Sequence, residues 1–249
     1  MPGRRKGYPG LKQNQRLPKK PIKPCSITGI RTKNDQTLSL TEVKKYNSLL
    51  LYGLVGPLFF IASFFLQGVF KKGYDPFRYA ISSLAIGENG WIQVVSFIIT
   101  GLLVFLFAFG VKKRLNSNIV PVLLMLVAIG LIASGIFTTD PVYGFPEGQP
   151  FIYDEFTLHG KLHTLFSLLV FINIPACCFI MSKYFHQHKE MQWKYYSLAT
   201  GIAMLLLFFF TGAAFRQLWD LGAIAGLLQR LCVISGFVWL SFLALQLRA

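Results

Sequence analysis

Long apolar runs separated by short polar segments dominate the sequence from residue 47 to its end. Six of these runs approach or exceed the roughly 18 to 20 residues that an α-helix needs to cross the core of a bilayer. They cover approximately residues 47–69, 91–111, 119–138, 159–182, 195–214 and 223–246. The runs are continuous rather than alternating, which argues against the strands of a membrane barrel. The pattern predicts an all-α fold, a polytopic integral membrane bundle of six transmembrane helices.

The composition agrees with lipid as the surroundings of most of the chain. Hydrophobic residues make up 53% of it and charged residues only 14%, whereas soluble domains carry about 25% charged residues. Cys177, Cys178 and Cys232 lie within apolar runs, and Cys25 lies near the N-terminus. This placement implies no disulfide framework, so we expect the cysteines to behave as small hydrophobic residues.

A basic segment precedes the first apolar run. Residues 1–40 hold ten Lys or Arg and one acidic residue among many Pro, Gly and Gln. Such a segment cannot bury enough apolar surface to offset the entropy of ordering, so residues 1–45 are predicted to form a disordered basic cytoplasmic tail. Residues 46–249 form the predicted six-helix transmembrane domain. No structured nucleic-acid-binding module accompanies the basic charge, and we expect contact with membrane lipid and no nucleic-acid partner.

Basic residues are distributed unequally between the two sides of the predicted bundle. The tail, the second and fourth connections and the C-terminus hold 19 of the 25 Lys and Arg, and the other side holds 6. Since basic residues favour the cytoplasm, both termini are predicted to be cytoplasmic, in a multi-pass protein of the cell (inner) membrane. Seven of the ten acidic residues fall on the outer side, which is therefore nearly neutral but dense in charge. No feature of the sequence indicates an oligomeric state.

Several polar and charged side chains are predicted to meet at the outer ends of the helices. They lie in the first outer connection, at the end of the third span, at the start of the fourth and around the last. Because six helices bring these ends together in any order around the bundle, we take them as one candidate binding or structural polar cluster. Its members are Asp75, Arg78, Ser82, Ser83, Asp140, His159, His163, Arg216 and Arg230.

Arg230 interrupts the last apolar run. It lies about two turns below the outer end, at a depth of roughly 12 Å. A charge at this depth costs on the order of 3 kcal/mol or more, so the side chain should face the bundle and have a partner. We expect Asp140 or Asp75 to be its counter-ion. The alternative is an arginine that extends to the lipid headgroups.

His159 and His163 open the fourth span four residues apart and therefore share a helix face. This spacing would let two imidazoles hold a Zn²⁺ ion with Asp140 or Asp154 as a third ligand. The glutamate of a HExxH motif is absent, and Lys161 between the histidines disfavours a second positive charge. We therefore favour histidines that are hydrogen-bonded or lie at the headgroups, with no cofactor, over the zinc alternative.

Two polar stripes are predicted to face the inside of the bundle. Asn173 continues the face of the two histidines towards mid-membrane, and Gln93, Ser96 and Thr100 form a stripe on the second span. Polar side chains inside the bilayer face other helices rather than lipid, so the stripes predict a polar cleft that opens outward. Haem is not expected, because its axial histidines generally come from facing helices at similar depth.

No GxSxG elbow and no phosphate-binding glycine loop occurs in the sequence. Ser82 or Ser83 could act as a nucleophile only beside a base, so a turn or helix-cap role is the favoured interpretation.

The fragments GYDPFRYAISSLAIGENGWIQ, FTTDP, HGKLH and GLLQR, in this order and at these spacings, resemble a family of membrane proteins, domain of unknown function 998. The resemblance covers about residues 48–247. It implies a multi-helix membrane protein, and it implies no activity.

A weaker similarity is to the intramembrane hydrolases of the alkaline ceramidase and progestin-receptor-like superfamily, in which a serine, an aspartate and three histidines surround a zinc ion. Ser82 or Ser83, Asp140, His159 and His163 match four of these positions, and a third outer histidine is absent.

Three functions are compatible with these features. The favoured one is a non-enzymatic protein whose outward cleft binds a lipid headgroup or a small solute, with Arg216 and Arg230 offering charge to an anionic group. The second is a membrane-embedded metal-dependent hydrolase that acts on a lipid, with His159, His163 and Asp140 as ligands. The third is a purely structural role.

Overall fold

The computed structural model describes residues 40–115, 117–142, 144–149 and 156–248, with side chains from residue 46 onwards. Its long helices are α1 (Leu40–Phe70), α2 (Gly90–Arg114), α3 (Ile119–Ile136), α4 (Leu158–Gln187), α5 (Met191–Phe215) and α6 (Ala225–Arg248). Short 3-10 helices precede α2 and α6, at Ile81–Ala85 and Leu218–Ile224. No β-strand occurs among the described residues, and the all-α prediction is confirmed.

Six helical segments are long and apolar enough to cross a membrane: Tyr46–Phe70, Gly90–Arg114, Ile119–Ile136, Leu158–Gln187, Met191–Phe215 and Leu218–Arg248. The six predicted spans are therefore confirmed, with limits that move by at most five residues. The chain is a multi-pass membrane protein. Residues 1–39 of the predicted tail lie outside the described residues, and α1 already begins at Leu40.

The helices form a closed ring in chain order. Each helix packs against the next one along the chain, and α6 returns to pack against α1. Large side chains fill the end of the ring that holds the α2–α3 and α4–α5 connections, which we call the packed end. Phe107, Phe185, Trp239 and Leu243 are buried there. The Trp239 indole N–H donates to the Ser197 hydroxyl at 3.0 Å, so the one strongly polar atom of this aromatic packing has a partner.

The described cysteines behave as small hydrophobic residues. Cys177, Cys178 and Cys232 are buried, and none of them forms a disulfide, as the sequence predicts. Cys25 lies outside the described residues.

Part of the connection between α1 and α2, residues 71–89, packs into the bundle, namely Tyr74 and residues 80–84. Lys71 ties the segment to the end of α1, since its Nζ donates to the main-chain oxygens of Leu84 at 2.8 Å and Glu88 at 3.1 Å. Partial burial lowers the pKa of Lys71, and the charge of Glu88 opposes this effect. The α1–α2 connection is therefore part of the core at its end of the molecule.

Candidate functional site

The end of the bundle at which α1, α3 and α5 end, which we call the cavity end, encloses a cavity of about 650 Å³. This volume lies within the range of about 300–1,000 Å³ that is usual for small-molecule sites. All six helices and the α1–α2 connection contribute lining residues. The ring is thus filled at its packed end and hollow at its cavity end.

Aromatic side chains form much of the apolar lining: Phe60, Phe97, Phe156, Phe171, Phe215 and Phe237. The Phe60 ring centroid lies 5.1 Å from that of Phe97 and 5.3 Å from that of Phe237. These distances fall in the range of about 4.5–7 Å that is favourable for aromatic pairs. The three rings, which come from α1, α2 and α6, give the cavity an apolar floor.

The polar lining comes from the helix ends and from the α1–α2 connection. Hydroxyl groups are supplied by Ser82, Ser134, Thr139, Thr164 and Ser167, and the other polar side chains are Lys161, His163, Arg216 and Gln229. Lys161 and Arg216 are cationic and exposed, whereas none of the described lining residues carries a carboxylate. The cavity is therefore amphipathic, with positive charge at its rim.

His163 lines the cavity from the second turn of α4 and is only 6% exposed. Its Nδ1 lies 3.0 Å from the main-chain oxygen of Ser134 and 2.8 Å from that of Phe137. Carbonyl oxygens can only accept, so Nδ1 carries a hydrogen and Nε2 of the neutral ring is an acceptor. The bonds fix α4 to the last turn of α3. The inward direction predicted for His163 and for Asn173, which is also buried, agrees with the structure.

His159 and Asp140 do not line the cavity. His159 is exposed, and its ring packs edge to face on Phe137 at 5.6 Å. Asp140 accepts from the main-chain N–H of Thr157 at 2.8 Å and from its hydroxyl at 2.6 Å, while the hydroxyl oxygen accepts from the Gly160 N–H. A Cβ on Gly160 would lie 2.0 Å from an Asp140 oxygen, so this approach requires glycine. Asp140 thus joins the end of α3 to the capped, positive end of α4.

The prediction that both histidines face inward is wrong for His159, which lies in the first turn of α4 and is exposed. Among the described residues, no group of three or more His, Cys, Asp or Glu side chains could hold a metal ion. Asp154, the other predicted third ligand, lies outside the described residues. The zinc site of His159, His163 and Asp140 therefore stays a prediction.

Arg230 is buried in the second turn of α6, where it faces the α1–α2 connection. Its Nη1 donates to the main-chain oxygens of Tyr79 and Gly226, both at 2.9 Å, and its Nη2 donates to the Tyr74 hydroxyl. The guanidinium carbon lies 5.9 Å from the Phe64 ring centroid and 5.5 Å from that of Tyr74. At such distances aromatic faces attract a cation. Dipoles and ring faces therefore solvate this charge inside the bundle.

The predicted ion pair of Arg230 with Asp140 or Asp75 is not formed. Asp140 is bonded to Thr157, and Asp75 accepts from the Phe77 N–H at 2.8 Å within a turn. The physical reason is that the α1–α2 connection reaches the depth of Arg230 and presents main-chain oxygens there. A carbonyl accepts from a guanidinium without the cost of desolvating a second charge.

Tyr74 is the second anchor of the connection. Its hydroxyl donates to the main-chain oxygen of Ala80 at 2.8 Å while it accepts from Arg230. Burial raises the pKa of Tyr74 to about 12, although the charge of Arg230 acts in the opposite direction. The phenol therefore stays protonated at neutral pH and can donate and accept at once.

The start of α6 is shaped to receive the connection. The Gln229 side-chain oxygen accepts from the Ile81 N–H at 2.7 Å. A Cβ on Gly226 would lie 2.3 Å from the main-chain oxygen of Tyr79, so glycine is required for this contact. The fragment GLLQR, residues 226–230, is therefore the surface on which the connection docks.

The remaining predicted residues are spread around the cavity end. Arg216 lines the cavity from the end of α5 and Ser82 lines it from the connection, whereas Arg78 packs on a neighbouring tyrosine ring outside the lining. Ser83 is fully buried, and its hydroxyl has no partner among the described groups. Both serines lie inside a 3-10 helix whose N-cap is Ala80, so they shape a turn but do not cap a helix.

Gln93, Ser96 and Thr100 are buried on α2, as predicted, but none of them lines the cavity. The Gln93 side-chain oxygen accepts from the Gln67 amide of α1 at 2.8 Å. Gln93 therefore contributes to the α1–α2 contact, whereas the hydroxyls of Ser96 and Thr100 have no partner among the described groups. The polarity of the cavity comes from other elements.

Sequence reasoning missed several lining residues, namely Ser134, Thr139, Lys161, Thr164, Ser167 and Gln229. A signal was present on α4, because Lys161, Thr164, Ser167 and Phe171 recur at helical spacing and so share one face. No comparable pattern marks Ser134, which stands alone among apolar residues at the end of α3.

A ring of six membrane-crossing helices with a cavity at one end defines the class of the molecule, a polytopic α-helical membrane protein. A family model described as protein of unknown function (DUF998) matches residues 54–246, from α1 to α6. The chain belongs to this family. No curated protein and no solved structure matches it.

Replacing Arg230 by methionine should lower the free energy of unfolding in detergent by about 2 kcal/mol, because the connection loses its main anchor and buried acceptors lose their donor. Tyr74→Phe should cost about 1–2 kcal/mol for the same reason. The control Arg78→Met removes a guanidinium that is only half-buried, and should change stability by no more than about 1 kcal/mol.

Hydrogen exchange of residues 71–89 is the second readout of this prediction. Exchange should accelerate in Arg230→Met and in Tyr74→Phe, while the helices at the packed end keep their protection. Unchanged exchange in the Arg230 variant would show that the connection does not depend on the guanidinium.

Proposed function

We propose that the protein binds an amphiphilic, lipid-like molecule in the cavity and does not act on it chemically. The observation that carries this proposal is the composition of the wall, in which a phenylalanine floor lies below a rim with two cations, an imidazole and no carboxylate among the described lining residues. A molecule with an apolar tail and a polar head matches both parts of such a wall.

Hydrogen-bonding groups without protein partners support a polar headgroup. The Ser134 hydroxyl is buried and has no partner within the described part of the chain. His163 uses Nδ1 for main-chain oxygens, and its Nε2 bonds to no described group. Gln229 uses only its side-chain oxygen, for Ile81, so its amide hydrogens are available. Buried polar groups are rarely left without partners, and a bound headgroup would satisfy the Ser134 hydroxyl and could also bond to His163 Nε2 and to the amide of the half-buried Gln229.

The apolar floor supports an amphiphile over a small polar solute. A polar solute at the rim would leave the rings of Phe60, Phe97 and Phe237 facing water or empty space, which is unfavourable. An acyl chain would cover them. Arg230 is assigned no ligand contact, because it does not line the cavity and bonds to Tyr79, Gly226 and Tyr74 instead. Charge is instead supplied by Arg216 and by Lys161.

We also propose that the cavity end faces away from the cytoplasm in the cell (inner) membrane. At the packed end, α2 finishes with Lys112, Lys113 and Arg114. Clusters of basic residues next to a span favour the cytoplasmic side. The cavity would then receive its ligand from the outer leaflet.

Enlarging a side chain of the wall should reduce binding, and the thermal midpoint of each variant shows whether its fold is kept. Val170 lines the cavity from α4, so Val170→Phe should weaken binding of a dansyl-labelled single-chain amphiphile about tenfold or more, which corresponds to about 1.4 kcal/mol. Val122→Phe, at a 51% exposed position of α3 outside the lining, is the matched control and should bind like the wild type. Equal binding by the wild type and both variants, measured by dansyl fluorescence, would contradict the proposal.

A metal-dependent lipid hydrolase is the second proposal, and the geometry of His163 favours it. A histidine whose Nδ1–H is held by a carbonyl presents Nε2 as metal ligands usually do. If His159, His163 and Asp140 hold a metal as predicted, purified protein should contain about one zinc per chain, and either His163→Ala or His159→Ala should lose it. Less than about a tenth of a metal ion per chain in elemental analysis would end this proposal.

A further inference from the structure

We propose that the ligand is an anionic single-chain amphiphile that enters the cavity from the bilayer through a gap between α4 and α5, and whose headgroup lies between Lys161 and Arg216. This inference rests on the proposed function. It adds the entrance, the charge of the headgroup and the number of acyl chains.

The exposed part of the cavity wall belongs to α4 and α5. Among the described lining residues, the exposed ones are Phe156, Lys161, Thr164, Gly212 and Arg216. The first three lie just before or within the start of α4, and the last two lie at the end of α5. Since α4 and α5 are neighbours in the ring, the cavity opens where these two ends face each other.

An aromatic contact marks the limit of the gap towards the packed end. Phe171 of α4 stacks on Phe208 of α5, with ring centroids 5.0 Å apart and planes inclined by 20°. Nearer the packed end, a Cβ on Gly201 would lie 3.1 Å from Cys178, which shows how closely the helices approach there. By contrast, an added Cβ on Gly212 would meet nothing within 4 Å. The two helices therefore touch as far as the stacked rings and separate beyond them.

The gap faces hydrocarbon as well as the membrane surface. Leu165 beside it on α4 is 57% exposed, and Phe209 beside it on α5 is 61% exposed; large apolar side chains exposed on a membrane span contact lipid. Ser167, which lines the cavity, lies nine residues into α4. At 1.5 Å per residue this is about 13 Å from the helix start, towards the middle of the span. An acyl chain could thus move sideways into the cavity without crossing water.

Two cations stand on either side of the gap at its open end. Lys161 projects from α4 and Arg216 from α5, and both line the cavity. No described carboxylate forms an ion pair with either of them. Asp140, which is close to α4, is occupied by Thr157. A carboxylate or phosphate headgroup would accept charge-assisted hydrogen bonds from both cations.

The size of the cavity favours one acyl chain. About 650 Å³ is available, and Phe60, Phe97 and Phe237 close the floor. A second chain of the same lipid would have to remain in the bilayer, outside the stack of Phe171 on Phe208.

Equilibrium binding to the full-length protein in detergent tests the headgroup and the chain number. The probes are oleoyl lysophosphatidate, oleoyl lysophosphatidylcholine, dioleoyl phosphatidate and inorganic phosphate. Lysophosphatidate should bind about tenfold or more tightly than each of the others. The double variant Lys161→Gln, Arg216→Gln should reduce its advantage over lysophosphatidylcholine to less than about threefold. The matched double variant Lys72→Gln, Arg78→Gln removes two cations of the cavity end that are outside the lining and should keep the advantage.

Association kinetics test the entrance. Gly212→Trp places an indole where the structure has open space, and it should slow association of lysophosphatidate about tenfold or more. Leu206→Trp, at an exposed position of α5 outside the lining, should leave the rate unchanged. Both variants should keep the thermal midpoint of the wild type, which shows that an altered rate is not an effect of misfolding.

Each part of the inference would be contradicted by a different experimental result. Equal affinity of the wild type for lysophosphatidate and lysophosphatidylcholine would overturn the anionic headgroup, and equal or tighter binding of phosphatidate would overturn the single chain. Tight binding of inorganic phosphate alone would indicate a site for a free anion. A normal association rate in Gly212→Trp would overturn the entrance. Absence of binding by every amphiphile would overturn the proposed function itself, which distinguishes its failure from that of the finer inference.

Discussion

The buried guanidinium of Arg230 is the constraint on which the architecture of the cavity end depends. A charge inside a membrane domain persists only where other groups solvate it, and here the α1–α2 connection does so through the Tyr79 main-chain oxygen and the Tyr74 hydroxyl. To reach Arg230, the connection must leave the surface and pack among α1, α2 and α6. Residues 80–82, which follow at once, then form part of the cavity wall. Arg230 therefore shapes the cavity from outside it.

Charges that hold the fold together and charges that line the cavity are separated in this molecule. Arg230 holds the connection, and Asp140 joins α3 to α4 through Thr157. Neither lines the cavity, whereas Lys161 and Arg216 do. The separation is consistent with a cavity whose rim is positive: Asp75 and Asp140 are used in a turn and at a helix cap, and Lys161 and Arg216 line the cavity.

The architecture was predictable because each span is set by a local property, the length of an apolar run. The burial of Arg230 and its need for a partner were also predictable, because this charged residue stands inside an apolar run. Its partners were not, since a main-chain oxygen leaves no trace in the amino-acid sequence and any residue can supply one. The α1–α2 connection contains many polar residues, yet Tyr74 and residues 80–84 are buried.

The two histidines show that the sequence also leaves tertiary contacts at the site unpredicted. His159 and His163 have equivalent chemistry and one helical face, and only the position of the last turn of α3 decides between them. The free main-chain oxygens of Ser134 and Phe137 meet His163, and His159 lies beyond them. Tertiary contacts likewise place Gln93 against α1 instead of in the cavity. The packing of the helices sets where the helix ends and their main-chain oxygens lie. These positions thus determine which polar residues form the site.

Native mass spectrometry of the chain, purified from its membrane in mild detergent, tests the central claim most directly. The account predicts one retained adduct per chain, and that this adduct carries a single acyl chain and a carboxylate or phosphate headgroup. A chain that retains no amphiphile, or that retains two-chain zwitterionic lipids in proportion to their abundance in the membrane, would contradict it.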